Sequence, residues 1–406
     1  MKILGIETSC DETGICLIEV KESKTGPVLS VLGNQLYSQI AKHQEFGGVM
    51  PMLAKREHAK NLVPLFEKCL KETGLSSPAF LRRGSGGGLD KEGLRAVENI
   101  LIREPELFVE LKKLLETIEK PDIDAIAVTH GPGLEPALWV GVTFAKALGA
   151  AWNIPVIPTN HMEGHIVVSA LQKVAGSEGE VSGIQNTKYI ILNTRYPAIA
   201  LLISGGHTQL VLIKDNLKYE IVGGTRDDAV GEAFDKVARM LGLPYPGGPQ
   251  ISKYADAWKA KNISTQTFKF PRPMLHSKDL DFSFSGLKTS VLYTIKTLPE
   301  LTEEIKQEIA YEFKEAVIDV LTTKTKEAVL KYTAETLIVG GGVIADINIR
   351  LALEKVAKEL GIKFQLPEVS AATDNALMIA LAGYMNILAG CKSETDFKAN
   401  GNLSLN

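Results

Sequence analysis

Between Ile123 and His161 the chain reads IDAIAVTHGPG, then GVTFAKALGAAW, then IPVIPTNH. A short apolar run closed by Gly and Pro is followed by a helix-spaced stretch and a second apolar run. That alternation argues for an α/β architecture. MKILGIET and GICLIEV read as two strands joined by the polar turn SCDET. KREHAKNLVPLFEKCLKETG has helical spacing and ends at Gly74, a candidate cap. The second half repeats the theme. AIALLISGGHTQLVLI reads as a hairpin with SGGHT at its turn, and DDAVGEAFDKVARMLGL as a helix. The stretch from LTEEIKQ to VLKY reads as long helices, ETLIVGGGVIAD as a strand entering a glycine turn, and INIRLALEKVAKELG and DNALMIALAGYMNILAG as helices.

At 406 residues the chain is too long for one ordinary small core, so two lobes are expected. The expected N-terminal lobe is 1–160, completed by the helix at about 375–392; the C-terminal lobe is 161–374. Two stretches read as insertions. One, 76–120, carries the Gly-rich LRRGSGGGLD and a charged helical piece; the other, 172–197, is polar and irregular. Surface decoration is the expectation for both. No apolar run approaches the ~20 residues of a membrane span. The first residues lack the apolar core of a signal peptide and the Arg-rich pattern of a transit peptide. The chain is expected to be cytoplasmic, with no membrane partner. Its four cysteines form no C-x-x-C pair, which argues against a zinc knuckle or redox dithiol and suits a reducing compartment. A net charge of −3 gives no global case for nucleic-acid binding.

The stretch HMEGH places His161 and His165 four residues apart, on one face if helical. A zinc protease needs Glu directly after the first His. Here Met162 holds that place and Glu163 follows one step later, so the protease signature is absent. Asp374, in SAATDNALMIALAG, is either a third ligand or a helix N-cap. Two His and one Asp leave positions open for water or substrate. GIETSCDETG, LISGGHTQ, YPGGPQ and VGGGVIAD are glycine or polar turns beside strands, where backbone N–H groups can cradle a phosphate. None has the form of a P-loop. Their distribution resembles the actin, sugar kinase and heat-shock ATPase fold: two lobes, each a mixed sheet flanked by helices.

Read in order, IETSCDET, GGVMPMLAKREH, HGPGLEPALWVGV, NHMEGH, LLISGGHTQL, DDAVGEAFDKVARMLGLPYPGGP, FPRPML, DFSFSGLKT, VGGGVIAD and ATDNALMIA resemble the TsaD/Gcp family. These are the tRNA N6-adenosine threonylcarbamoyltransferases, formerly labelled O-sialoglycoprotein endopeptidases; DFSFSGLKT is similar to the bacterial branch. The resemblance covers nearly all of the chain outside the two suspected insertions. It implies transfer of a threonylcarbamoyl group from threonylcarbamoyl-AMP to N6 of adenosine 37 in tRNAs reading codons that begin with A. It implies His161, His165 and Asp374 as ligands of one divalent ion, Fe(2+) or Zn(2+). It implies Leu202, Ile203, Ser204, Gly205, Gly206, Asp235, Gly248 and Asp346 as substrate-binding positions. Glu12 and Asp11 are weak candidates for orienting the amine. Implied partners are tRNA, a TsaB-like paralogue, a TsaE-like ATPase and a separate enzyme making the adenylate. One departure stands out: the family usually has Asn in GGV-x-A-N, where this chain has Asp346. An ionised Asp only accepts hydrogen bonds and would repel a nearby phosphate.

Three rival readings follow from the same residues. A metalloprotease is opposed by the missing glutamate. A non-catalytic nucleotide-binding scaffold has no need of an open His/His/Asp site. A sugar or acetate kinase usually needs a catalytic Asp and shows no His-x-x-x-His. Lys253, Lys259, Lys261, Lys269, Arg272 and Lys278 make one stretch locally basic, a candidate tRNA-backbone patch or an ordinary solvated face.

Overall fold

A computed structural model describes residues 1–24, 26–74, 91–175, 187–262, 267–394 and 396–405. The apolar runs form strands as expected. β1 (Lys2–Glu7) turns into β2 (Glu12–Lys21), and β3 (Val28–Ser38) runs antiparallel beside it. α1 (Ile40–His43) is a single turn. α2 (Pro51–Glu72) starts with a proline, whose missing N–H costs nothing in the first turn, and Gly74 lies just beyond its end at φ +69°. Then come α3 (Lys91–Ile100), α4 (Pro105–Thr117), β4 (Ala125–Gly131), α5 (Glu135–Trp152), β5 (Val156–Asn160) and α6 (His161–Val168). Two short strands, β6 (Leu171–Lys173) and β7 (Lys188–Ile191), follow.

β8 (Ala198–Ile203), β9 (Thr208–Asp215) and β10 (Lys218–Gly224) form a meander, followed by α7 (Val230–Met240), α8 (Gly247–Lys259) and α9 (Ser285–Thr297). The expected long helices form one: α10 (Glu303–Tyr332), 30 residues, with the Thr302 hydroxyl capping its start. β11 (Thr336–Gly340), α11 (Ile347–Leu360), β12 (Lys363–Gln365) and α12 (Ala376–Leu388) complete the order.

Among the described residues the strands form two mixed sheets, ordered β5-β4-β1-β2-β3-β7-β6 and β10-β9-β8-β11-β12. In the first, β5, β4 and β1 are parallel and the rest antiparallel. In the second, β8, β11 and β12 are parallel. The chain divides into two compact units, 1–41 with 49–193 and 374–405, and 42–48 with 194–373. The first therefore runs past the expected boundary at residue 160, because β5 leads without a break into α6, which packs against α12. Each unit has its own apolar core.

The charged helical piece inside 76–120 is not surface decoration. Val97, Leu101, Leu107 and Leu111 of this stretch are buried in the first core. The Gly-rich LRRGSGGGLD lies outside the described residues, and so do residues 176–186 of the second suspected insertion. What is described of that insertion supplies most of β6 and all of β7, at the edge of the first sheet. Residues 396–405 lie across the first unit as an extended strap. Phe397 and Leu405 are buried, Asn400 N–H donates to His130 O (2.8 Å), and Gly133 N–H donates to Gly401 O (3.1 Å).

Candidate metal centre and candidate ligand cavity

α6 is only eight residues long and wholly buried. Its start is fixed by Asn160, whose Oδ1 accepts from Met162 N–H (2.9 Å) and Glu163 N–H (3.3 Å) while its Nδ2 donates to Ser404 O of the strap (3.2 Å). The helix sets His161 and His165 side by side, ring centroids 4.8 Å apart. Asp374 arrives from the loop before α12. That helix lies close against β1 and β2 because Gly5 and Gly14 have no side chain: a Cβ on Gly5 would stand 2.2 Å from Ala376 O. Asp374 is not the N-cap of α12. Asn375 caps it instead, its Oδ1 accepting from Met378 N–H (3.1 Å), so the Asp374 carboxylate is left to face the histidines.

Nε2 of His161 and Nε2 of His165 lie 3.3 Å and 3.1 Å from Asp374 Oδ1. Ligand atoms about 2.1 Å from one ion in a tetrahedron stand about 3.4 Å apart. The two separations from Asp374 are close to this and all three donors lie within 4.8 Å of one another, which makes them a candidate set for a single divalent metal. Two imidazoles and a carboxylate match the ligands of Fe(2+) or Zn(2+) sites with open positions. Behind His161, Nδ1 is 3.1 Å from Glu7 Oε2. Glu7 is fully buried and also accepts from the Thr129 hydroxyl (2.6 Å) and from Ser9 N–H. Nδ1 of His165 is buried without a hydrogen-bond partner among the described residues. Burial alone would raise Asp374, but the charges and hydrogen bonds of His161 and His165 hold it far below the carboxylate range. Burial would lower His161, yet Asp374 and Glu7 lift it well above the ordinary histidine value.

Glu163, the residue out of place for a protease, takes a hydrogen bond from Asn386 Nδ2 (3.3 Å) on α12. Asp11 sits in the turn before β2, and Glu12 is the first residue of that strand. Asp11 is buried and its carbonyl accepts from Gln39 N–H (2.9 Å). Glu12 is raised well above the usual range by burial and by the charges of Asp11 and Asp374. Neither is a solvated turn residue.

The other residues singled out in the sequence belong to the second unit, where a cavity of about 300 Å³ is lined by Gly205, Asp235, Gly248 and Asp346 among others. Ser204 closes the β8–β9 turn, its hydroxyl accepting from His207 N–H (3.1 Å). Leu202 and Ile203 are fully buried in β8, so their side chains belong to the core and cannot meet a ligand. Gly205 and Gly206 are exposed at the turn. The cavity depends on close backbone packing. A Cβ on Gly231 would stand 2.6 Å from Ser204 O, and one on Gly341, at φ +93°, 2.4 Å from Ile203 O. Asp235 Oδ1 accepts from Gly247 N–H (2.6 Å).

Asp346 lines the cavity, and most of its acceptor positions are taken by the chain itself. Its Oδ1 caps α11 by accepting from Asn348 N–H (2.8 Å) and Ile349 N–H (3.0 Å). Its Oδ2 takes the Ser252 hydroxyl and Lys314 Nζ (2.7 Å). A carboxylate has about four acceptor positions; three are filled by Asn348 N–H, Ile349 N–H and Lys314, and the fourth competes with Gly248 O for the one proton of the Ser252 hydroxyl. In the basic stretch, Arg272 pairs with Glu312 and Asp319, and Lys261 with Glu304. Sequence reasoning missed Glu7, Ser252 and Lys314. Glu7 had a signal, an acidic residue closing an otherwise apolar strand; Lys314, in mid-helix, had none.

Residues 30–80 and 106–381 match the family model described as TsaD, tRNA N6-adenosine threonylcarbamoyltransferase. Relatives of that name align along nearly the whole chain. The protein of Nitrosospira multiformis is 39% identical over 100% of this chain and 96% of its own. That of Chromobacterium violaceum is 40% identical over 95% and 93%, and that of Staphylococcus haemolyticus 37% over 99% and 96%. No helix among the described residues is long and apolar enough to cross a membrane. With a full-length match of this kind, the chain belongs to the tRNA N6-adenosine threonylcarbamoyltransferase family.

Proposed function

We propose that this protein transfers a threonylcarbamoyl group from threonylcarbamoyl-AMP to N6 of adenosine 37 in tRNAs reading codons that begin with A. The observation that carries the reading is the convergence of His161, His165 and Asp374, drawn from distant parts of the chain, in a protein that aligns end to end with such transferases. In the reaction a C–N bond forms between the adenine amino group and the carbamoyl carbon. The bond from that carbon to the phosphate oxygen breaks, AMP leaves, and the amine gives up a proton.

The two tasks this requires, polarising a carbonyl and holding an adenylate, each have a candidate in one unit. In the first, His161, His165 and Asp374 would hold one Fe(2+) or Zn(2+), which supplies a Lewis acid. Glu7 fixes His161 with Nε2 turned to the centre. In the second, the cavity at Gly205, Asp235, Gly248 and Asp346 is the candidate for the adenosine, with exposed glycine backbone as donors to its phosphate. Function in the cytoplasm with a TsaB-like paralogue, a TsaE-like ATPase and a separate adenylate-forming enzyme belongs to the same reading.

The test is transfer of labelled threonine to unmodified tRNA from threonylcarbamoyl-AMP, with and without the bacterial partner proteins. Wild type should modify adenosine 37, and His161→Ala/His165→Ala should not. Equal activity of the two would remove the metal centre from the mechanism.

A further inference from the structure

The cavity in the second unit holds an electrostatic arrangement that its lining residues do not reveal. Among the described residues that line it, the ionisable ones are Asp235 and Asp346, and none is basic. A nucleotide carries its own negative charge, so an uncompensated carboxylate there would work against it. Lys314, from the middle of α10, supplies the compensation from behind. Its side chain is 3% exposed and its ammonium lies 2.7 Å from Asp346 Oδ2, with Asp256 Oδ1 further off at 3.4 Å. Asp256 is half-exposed and takes a hydrogen bond from Asn348 Nδ2 (2.9 Å), so it is already engaged. The close, buried partner of Lys314 is therefore Asp346. The Ser252 hydroxyl, which lines the cavity, has two acceptors within reach, Asp346 Oδ2 and Gly248 O (3.0 Å). Its single proton goes to one of them, which leaves its oxygen as an acceptor toward the cavity.

We propose that Lys314 is a specificity-determining residue of this cavity, acting through Asp346. By cancelling the carboxylate's charge it lets the cavity take an anionic nucleotide where the family's usual residue is a neutral Asn. The aspartate and the lysine are then one exchange unit, and neither is tolerated without the other. A buried charge whose partner is removed is far more costly than a pair removed together. The inference rests on the reading of the cavity as an adenylate site.

The test is calorimetric titration of the full chain with AMP and with uncharged adenosine. The proteins are wild type, Lys314→Met, Asp346→Asn and the double variant. Lys314→Met should weaken AMP about tenfold and adenosine less than about threefold, because only AMP meets the bare carboxylate as an anion. Adding Asp346→Asn should bring AMP back to within about threefold of wild type. If Lys314→Met alone fails to fold, recovery of the fold and of AMP binding in the double variant carries the same meaning. Equal losses for AMP and adenosine, or no recovery in the double variant, would overturn the inference and leave the adenylate reading in place. A wild-type protein that binds neither ligand would overturn that reading and this inference with it.

Discussion

Glu7 shows how one side chain that would never touch substrate can govern a site. Desolvation works to raise it, but the His161 charge and hydrogen bond hold it below the usual carboxylate range, so it stays ionised and binds Nδ1 of that ring. Partners of this kind fix the orientation of a metal-ligating histidine, and their loss typically costs 10–100-fold in metal affinity. Glu7→Ala should lower zinc affinity by about that factor in chelator competition. Glu7→Gln, which keeps an acceptor for Nδ1–H, should recover most of it. Equal losses in the two variants would show that Glu7 merely fills space. The glycines give a second contrast. Gly231→Ala meets Ser204 O at 2.6 Å, whereas Gly205→Ala meets nothing within 4 Å. Thermal unfolding should report a loss of about 1–3 kcal/mol for the first and under about 0.5 kcal/mol for the second. His161, His165 and Asp374 could be named as a candidate donor set from their residue types and spacing together with the family motifs, and the structure brings the three together. Lys314 was not, because a helix interior says nothing about which neighbour a lysine will meet across 32 residues.

At the scale of elements, periodicity located most strands and helices, while their joints had to be seen. The cap of α12 fell to Asn375 rather than Asp374, one residue along, and that shift is what leaves Asp374 to face His161 and His165. The start of α9 is tied to Asp227, which accepts from Phe284 and Ser285 N–H and from the hydroxyls of Ser283 and Ser285. Asp228 is held between Lys236 (2.7 Å) and Lys288 (2.8 Å). Burial acts to raise both aspartates, and these hydrogen bonds outweigh it and hold both low. A carboxylate depressed in the fold gives stability that is fully present above the unfolded value of about 3.9. That stability is lost as pH falls through the folded value. Asp228→Asn should therefore lower the urea midpoint at pH 7, and the difference from wild type should shrink steadily below about pH 4. The strap offers another test. Phe397 is buried against the first core and its carbonyl accepts from Lys146 Nζ (2.5 Å). Phe397→Ala should cost about 3–5 kcal/mol by denaturant unfolding. It should also loosen Asn160 and with it the first turn of α6, so that zinc retention falls.

For the whole molecule, the α/β class followed from alternating apolar runs, and the expectation of two mixed sheets came from the resemblance to the actin, sugar kinase and heat-shock ATPase fold. The division between units was less legible. A chain that leaves one unit at Asn193 and returns at Asp374 gives no compositional mark of its return, since both cores draw on the same apolar residues. Two cores with separate candidate ligands lead to a calorimetric expectation. Zinc should raise the unfolding temperature of one set of elements and AMP that of another, each by mass action. A single transition moved equally by both would oppose it.

The return at Asp374 also has a meaning in time. His161 and His165 lie near the middle of the chain, Glu7 near its start, and the third donor in its last tenth. While the protein is being synthesised, the two histidines emerge long before the carboxylate that completes their set. The helix that packs on Gly5 and Gly14, α12, emerges later still. On the proposed reading of the centre, a growing chain offers at best two of its three donors, and a complete donor set belongs to the finished chain.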